Sequence, residues 1–372
     1  MNIKSWNNFI SDSPWGDILQ FKQWGEVKSL ESWKQFFVGE SLAVRSQVLI
    51  KSIPVLGNYA YVPHGPVFQS VDKLKDGIKA WKSEIVKLAK EQNCFAVEID
   101  PKIGYLRDEK LDLPENDKDL RAKNEVVNKN IEKLAHFYNE EIVKTLLSAG
   151  FKKTGRNMQP IYKLLYSLDL SDEELMSLMD KNTRYNIGYA ERKGVEVKYY
   201  LPDDPQIEKK LKTFYDLMKE TQARTGGYPI RPFDSFVKLF ESFKGTESIA
   251  LFEASFEGDV IIMNISQFTK NWASSFYAGS NRLHSKVKAP YLIRWKSIQK
   301  AKEFGCKTYD FWGIIPHDKA HKGYSDHKLS FGGARIDHVG LMQLSLNKSK
   351  TMIFNNLIPL RAKLAELKRK IF

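Results

Sequence analysis

Cysteine is almost missing from this chain: Cys94 and Cys306 are the two it has. Two thiols cannot build a disulfide framework, and their scarcity fits a reducing compartment. No Cys-x-x-Cys pair occurs, nor a Gly-x-x-x-x-Gly-Lys-Ser/Thr phosphate loop. No apolar run reaches the length that spans a bilayer. The N-terminal MNIKSWNNFISDSPWGD lacks the apolar core of a secretory signal, and no segment is low-complexity. These absences argue against a disulfide scaffold, a phosphate-loop nucleotidase and an integral membrane protein. They lead to the expectation of a soluble cytoplasmic protein.

What is present points to a globular chain. Hydrophobic residues make up 42% and aromatics 12%, enough to bury real cores and to rule out wholesale disorder. A length of 372 residues suits two domains. The net charge of +13 favours a polyanionic partner, whether nucleic acid, a phosphorylated substrate or an anionic membrane face. A lysine-rich solvated surface would give the same number, so charge serves only as support.

Periodicity and turn residues divide the chain. Ser46 to Pro54 and Asn58 to Phe68 read as strands, and Cys94 to Ile99 as a short apolar strand stopped by Asp100-Pro101. Val71 to Gln92 reads as a helix with Leu74, Ile78, Trp81, Ile85 and Leu88 on one face. Gly104 to Glu140 is charge-dense, a loop and then an exposed helix. Ser171 with Glu174 forms a capping box. Lys181 to Gly194 is a basic amphipathic helix, followed by a strand to Tyr200, a helix over Ile207 to Thr225, and a helix from about Phe233 to Ser242. Three strands then lie over Ser248 to Phe256, Val260 to Thr269 and Asn271 to Tyr277. A helix over Ala289 to Phe304 leads into a strand over Lys307 to Trp312. Beyond it, a polar loop carries Lys328 ahead of a Phe-Gly-Gly turn.

Two stretches echo each other. AWKSEIVKLAKEQNCFAVE (Ala80 to Glu98) and RWKSIQKAKEFGCKTYD (Arg294 to Asp310) each run from Trp-Lys-Ser through a cysteine to a carboxylate at a strand end. Helical spacing alone can produce such similarity, but the same order of elements recurs around both copies. The reading is an internal duplication of one α/β unit. The expected division is residues 1–165, residues 166–345, and a basic amphipathic helix over 346–372. That last helix, with its stripe Leu357, Leu360, Leu364, Leu367 and Ile371, is expected to pack on the body; attachment to an anionic membrane is the other reading.

Taken in order, the pieces WGEVK (Trp24 to Lys28), YVPHGPV (Tyr61 to Val67), EIDP (Glu98 to Pro101), TRYNIGYAERKGVEV (Thr183 to Val197), ETQARTGGYPIR (Glu220 to Arg231), FYAGSN, KAPYLIRW, YDFWGI and DHKLSFGG resemble the FemABX family of peptidoglycan bridge-forming aminoacyltransferases along nearly the whole chain. The resemblance implies an α/β fold of two GNAT-like subdomains. It implies transfer of an amino acid from aminoacyl-tRNA to an amine of a peptidoglycan precursor stem peptide, the precursor being lipid II or UDP-MurNAc-pentapeptide. SFKGTES (Ser242 to Ser248) leaves no room for the coiled-coil arm of some members, so the armless type is expected. Two positions depart from the family pattern: His64 stands for the usual Arg, and His327 for the Phe expected to meet the aminoacyl-tRNA end.

The site residues follow from that resemblance together with their chemistry. Aminolysis of an ester develops an oxyanion, and a nearby cation stabilises it by ~3 kcal/mol. Lys328 matches the family's active-site lysine; a solvated loop lysine is the plainer reading. Asp100 matches the family's acidic residue and is suited to hold the incoming ammonium; an Asp-Pro turn marker competes with that. Lys28 and Arg231 match residues that contact the precursor's phosphates, and Arg suits a two-pronged phosphate contact. Tyr277 is expected to line the substrate cavity or to be a buried aromatic. His327, Arg184 and Lys193 are candidates for tRNA contact, against an ordinary solvated helix face. His317, His321 and His327 lie near Asp318 and Asp326, but Pro316 and Gly323 make the stretch a loop and no metal is expected. No cofactor is expected, and the chain is expected to be a monomer.

Two other functions stay open. A GNAT acyltransferase would cradle the pyrophosphate of acetyl-CoA on a glycine-rich loop at a helix N-terminus. SNRLHSKVKAP before Ala289 is basic but has no glycine after Gly279, which disfavours that close approach. A non-catalytic RNA- or membrane-binding protein on the same fold is the other.

Overall fold

The computed structural model describes residues 2–72, 74–108, 110–112, 117–225, 229–315 and 322–357. In chain order these form α1 (Ile3–Asp12), α2 (Lys22–Ser29), β1 (Lys34–Val38), β2 (Val44–Ile53), β3 (Gly57–Val62), β4 (Val67–Phe68), α3 (Leu74–Glu91), β5 (Cys94–Ile99), β6 (Gly104–Leu106), α4 (Lys118–Lys133), α5 (Glu140–Ser148), β7 (Lys152–Lys153) and β8 (Tyr162–Ser167). Then come α6 (Asp172–Leu178), α7 (Lys181–Arg192), β9 (Glu196–Tyr200), α8 (Ile207–Arg224), α9 (Phe233–Ser242), β10 (Ile249–Phe256), β11 (Asp259–Phe268), β12 (Trp272–Ser280), α10 (Ala289–Glu303), β13 (Thr308–Asp310), α11 (Lys322–Leu329), β14 (Ala334–His338) and β15 (Met342–Ser345). A last helix, α12, occupies 348–357.

The strands make two sheets. One runs β1-β2-β3-β5-β15-β7 with β4 attached to β2, and the other β6-β14-β8-β13-β12-β11-β10-β9. Each sheet holds one parallel crossover. In the first, α3 links β3 to β5; in the second, α10 links β12 to β13. The echoed Trp-Lys-Ser stretches are these two helices, and their tryptophans Trp81 and Trp295 are both buried against their sheets. Duplication therefore shows in the topology as well as in the residues.

The sheets do not follow the linear division expected above. The boundary at 165/166 cuts through β8, a buried strand in the middle of the second sheet. β15, near the end of residues 166–345, instead pairs with β5 in the first sheet. β6, from the first half, pairs with β14 in the second. The units are laced by strand exchange, which buries edges that would otherwise be open. An apolar cluster binds them further: Trp24, Trp33 and Leu49 from the first half pack with Phe214, Phe236 and Phe276 from the second.

Local chemistry explains the element ends. The capping box forms as expected, with Ser171 accepting from Glu174 N and Glu174 accepting from Ser171 N. Gly194, at φ +86°, ends α7 in the left-handed conformation that favours glycine. The link from α9 to β10 is the short segment 243–248, where no arm is inserted. Of the terminal stripe, only Leu357 lies within the described residues, and it is exposed. Phe354 and Thr351 form the inward face of α12 instead. Leu360, Leu364, Leu367 and Ile371 lie outside the described residues, as do His317, Asp318 and His321.

Candidate active site

β12 and β13 pair only from Trp272↔Thr308 to Ser274↔Asp310. β12 runs on to Ser280 while the chain after β13 turns away, so the strands splay. A cavity of about 680 Å³ opens at this splay. Its wall takes residues from both halves of the chain, including Trp24 and Gln159 from the first and Arg231, Tyr277, Arg294 and Lys328 from the second.

Lys328 sits at one end. It lies on α11, not in a loop as expected, and its side chain is 1% exposed. Its ammonium donates to Gly313 O at 2.8 Å and to the Tyr324 hydroxyl. Among the described residues no carboxylate pairs with it. Burial, and then the nearby Arg294 guanidinium, hold its pKa well below the ordinary lysine value; Asp310 opposes that shift. The geometry is set from behind. The Asp310 carboxylate takes Lys163 Nζ at 2.9 Å and Trp312 N at 2.7 Å. This fixes a turn in which Trp312 has φ +63° and Gly313 presents its carbonyl to Lys328. Backbone held in a sparsely populated region by several contacts is common at functional sites. The glycine pair beyond α11 has a steric cause: a Cβ on Gly332 would lie 2.1 Å from Leu178 O.

His327 also lines the cavity, its ring 4.5 Å from Tyr291. Burial, with Arg294 and Lys328 beside it, pushes its pKa down to about 3, so it is a neutral ring at any ordinary pH.

The other end is cationic too. Arg231 Nε donates to the Tyr277 hydroxyl at 2.9 Å, and its guanidinium lies over Trp24 at 5.6 Å. Glu31 joins Arg231 to Lys28, pairing with both. Lys28 is pushed down to about 7 by burial, then by Arg231 and Lys51. Glu31 was missed in the sequence. It stands three residues from Lys28, but its partnership with Arg231 spans the chain and leaves no local sign.

Asp100 does not line the cavity. It is 5% exposed and accepts from the Tyr61 hydroxyl at 2.6 Å and from His64 N at 2.5 Å. Burial raises its pKa to about 8 against those hydrogen bonds, so the carboxyl is largely protonated at neutral pH. The Tyr61 oxygen also accepts from Gln159 Nε2 at 3.3 Å, and Gln159 does line the cavity. The connection of Asp100 to the site thus runs through two neutral side chains. Arg184 and Lys193 stand outside the cavity as well. Arg184 Nη1 donates to Met179 O at 2.5 Å and closes the end of α6. Lys193 is exposed, 5.5 Å over the Tyr189 ring. Among the described residues no group of three His, Cys, Asp or Glu side chains is arranged to hold a metal.

The model of the FemAB family matches residues 1–263 and 260–357. The chain belongs to the FemAB family. Among the relatives it resembles is a lipid II:glycine glycyltransferase of Staphylococcus haemolyticus, 27% identical over 263 residues, covering 68% of this chain and 53% of the relative. The chain spans about half the length of that protein. The aminoacyltransferase FemB of Staphylococcus epidermidis is 22% identical over 387 residues, covering 85% of this chain and 86% of FemB. The crystal structure of FemX superposes with a TM-score of 0.78 at 18% identity, covering 95% of this chain and 98% of FemX. That likeness supports the GNAT-like, duplicated fold class read from the sequence. No described helix is long and apolar enough to cross a membrane.

Proposed function

We propose that this FemAB-family protein transfers an aminoacyl group from aminoacyl-tRNA to an amine of a peptidoglycan precursor stem peptide. The carrying observation is one cavity whose wall carries the cations Lys328, Arg294 and Arg231, with Lys28 tied to Arg231 through Glu31. The relatives named as a lipid II:glycine glycyltransferase and an aminoacyltransferase support the reading.

In the reaction the amine nitrogen attacks the ester carbonyl, a C–N bond forms and the C–O bond to ribose breaks. One proton must leave the attacking nitrogen and one must reach the departing ribose oxygen. A lysine whose proton affinity is lowered by burial and by Arg294 can do the first, and as an ammonium it then faces the oxyanion and can deliver the second. The depressed proton affinity of Lys328 fits that double duty better than a permanently charged group would. Gln159 lines the cavity, and Tyr61 and Asp100 support it from behind. The Lys28 and Arg231 end would take the precursor's phosphates, in competition with Glu31.

The deciding experiment incubates the protein with charged tRNA pools and either lipid II or UDP-MurNAc-pentapeptide and weighs the precursor. A gain of an aminoacyl mass supports the proposal; no gain with any charged tRNA rejects it. Retention of CoA in place of charged tRNA would favour the acyl-CoA reading.

Lys28 gives a pH prediction. Its pKa is near 7, so its ammonium is lost as pH rises through that value. Precursor affinity is expected to weaken by about tenfold from pH 6 to pH 8.5, the size of one charge-assisted hydrogen bond. Lys28→Arg, whose charge does not titrate in this range, should flatten the curve in titration calorimetry. A wild-type affinity independent of pH would show that Lys28 does not meet the precursor's charge.

A further inference from the structure

The hairpin between β2 and β3 ends in an anomaly. Val55 at its tip is 100% exposed and has φ +72°. A β-branched residue is a genuine outlier at positive φ, where glycine or asparagine is the usual choice. Here the strained position holds an apolar side chain out into solvent.

Its surroundings share the pattern. A Cβ on Gly57, across the tip, would lie 3.7 Å from Lys350 Nζ, which places the hairpin beside α12. α12 turns Phe354 inward, 4.9 Å from the Tyr59 ring and 5.1 Å from the Phe95 ring. Its other side leaves Met352, Ile353 and Leu357 exposed by 63%, 44% and 38%, next to exposed Lys348 and Lys350. Leu30, at the end of α2, is 53% exposed. The antiparallel register Lys34↔Ile50 carries the turn after Leu30 to the same end of the sheet as Val55.

We propose that this face, with Leu30, Val55, Met352, Ile353 and Leu357 interspersed with Lys348 and Lys350, rests on an anionic lipid bilayer surface. Lysine among exposed apolar residues selects this occupant, because lysine is depleted from protein–protein interfaces and attracted by anionic headgroups. The sequence beyond 357 also carries Arg361, Lys363, Lys368, Arg369 and Lys370. A relay of packed side chains also links the face to Arg231 in the cavity wall. Phe354 packs on Tyr59, Tyr59 on Trp33 at 5.4 Å, and Lys28 and Lys51 lie over Trp33 at 5.6 and 5.3 Å. Lys28 then reaches Arg231 through Glu31. Resting on the aminoacyl-transfer reading, this has one consequence: a lipid-linked acceptor enters with its phosphates at the end of the cavity nearest the bilayer.

The test is sedimentation of the full-length protein with phosphatidylcholine vesicles, with and without about a third of phosphatidylglycerol. Wild type is expected to sediment with the anionic vesicles and not with the neutral ones. Val55→Asp combined with Ile353→Asp should weaken binding at least about tenfold, and Lys348→Glu combined with Lys350→Glu by a similar factor. All four side chains are exposed, and unchanged thermal unfolding will confirm that the variants fold. Transfer to a soluble acceptor should be unaffected in both variants, while transfer to a lipid-linked one falls. Vesicle binding without any transfer activity would leave the face standing and sink the functional reading instead. The proposal is overturned if wild type ignores anionic vesicles, if the variants bind as well as wild type, or if the substitutions dissolve a dimer.

Discussion

Lys328→Ala is expected to slow aminoacyl transfer by about 10²–10³-fold while leaving precursor binding intact, the usual effect of removing one well-placed donor from a developing oxyanion. Lys328 donates to Gly313 O and Tyr324 rather than to the Lys28–Glu31–Arg231 group, so affinity measured through the phosphates should hold. Stability should hold too. An amine that is 1% exposed, with no carboxylate partner among the described residues, is expensive to keep charged, and its removal costs the Gly313 carbonyl and the Tyr324 hydroxyl one hydrogen bond each. The direction of the pH dependence separates the two roles of this lysine. Its pKa is depressed, so its neutral fraction grows as pH rises through a range below that of ordinary lysines. If it must first accept a proton, single-turnover rates rise with pH across that range and then level off. A rate that falls over the same interval would mean the charged form acts alone. An alanine variant that turns over like wild type would remove Lys328 from the chemistry altogether.

How much of this was written locally varies from residue to residue. The helices carrying Trp81 and Trp295 and the strand Cys94–Ile99 were readable because apolar periodicity and the Asp-Pro stop act within a few residues. α11 was not, because its buried positions, Ser325 and Lys328, are polar and leave no apolar stripe. The exchange of β15 and β6 between sheets was invisible for a different reason: strand pairing over such separations depends on the whole chain collapsing, and a three- or four-residue strand carries little pattern of its own. The site shows the same split. Lys28, Arg231, Tyr277, Lys328 and His327 were picked out by motif; Arg231, Tyr277, His327 and Lys328 line one cavity, and Lys28 joins Arg231 through Glu31. Asp100 was picked out by motif as well, yet it stands behind Tyr61 and Gln159. Glu31 had no motif, and Arg294, although inside KAPYLIRW, was not singled out there, because their importance lies in partners distant in sequence. His64 was noted only as a departure from family pattern; the structure gives it a use, since its backbone N–H holds Asp100 while its ring holds Asp17 at 3.1 Å.

That last contact belongs to a buried network whose disruption should be the most damaging change outside the cavity. Asp17, Lys102 and His64 are 0%, 0% and 1% exposed. The Asp17 carboxylate takes Leu19 N at 3.0 Å, the His64 ring at 3.1 Å and Lys102 at 3.5 Å, while Lys102 Nζ also lies 3.5 Å over the Trp272 ring. Burial alone would raise Asp17, but Lys102 and His64 outweigh it and hold the carboxyl far below the usual range. Asp17→Ala is therefore expected to destabilise the fold by about 3–5 kcal/mol, since the partner charge stays buried without its counter-ion. At roughly 2–4 °C per kcal/mol, or somewhat less for a longer chain, the midpoint should fall by about 10 °C. The deficit should depend on pH in a definite sense. Lys102, pushed down to about 7 by burial, gains its proton in the folded wild type as pH falls through that value, because Asp17 is there to pair with it. Without Asp17 the folded state resists that proton while the unfolded chain accepts it. The gap between variant and wild type should thus widen by about 1 kcal/mol from pH 8 to pH 6. A gap that is small, or that narrows on acidification, would mean that the pairing of Asp17 with Lys102 is not what holds this network in place.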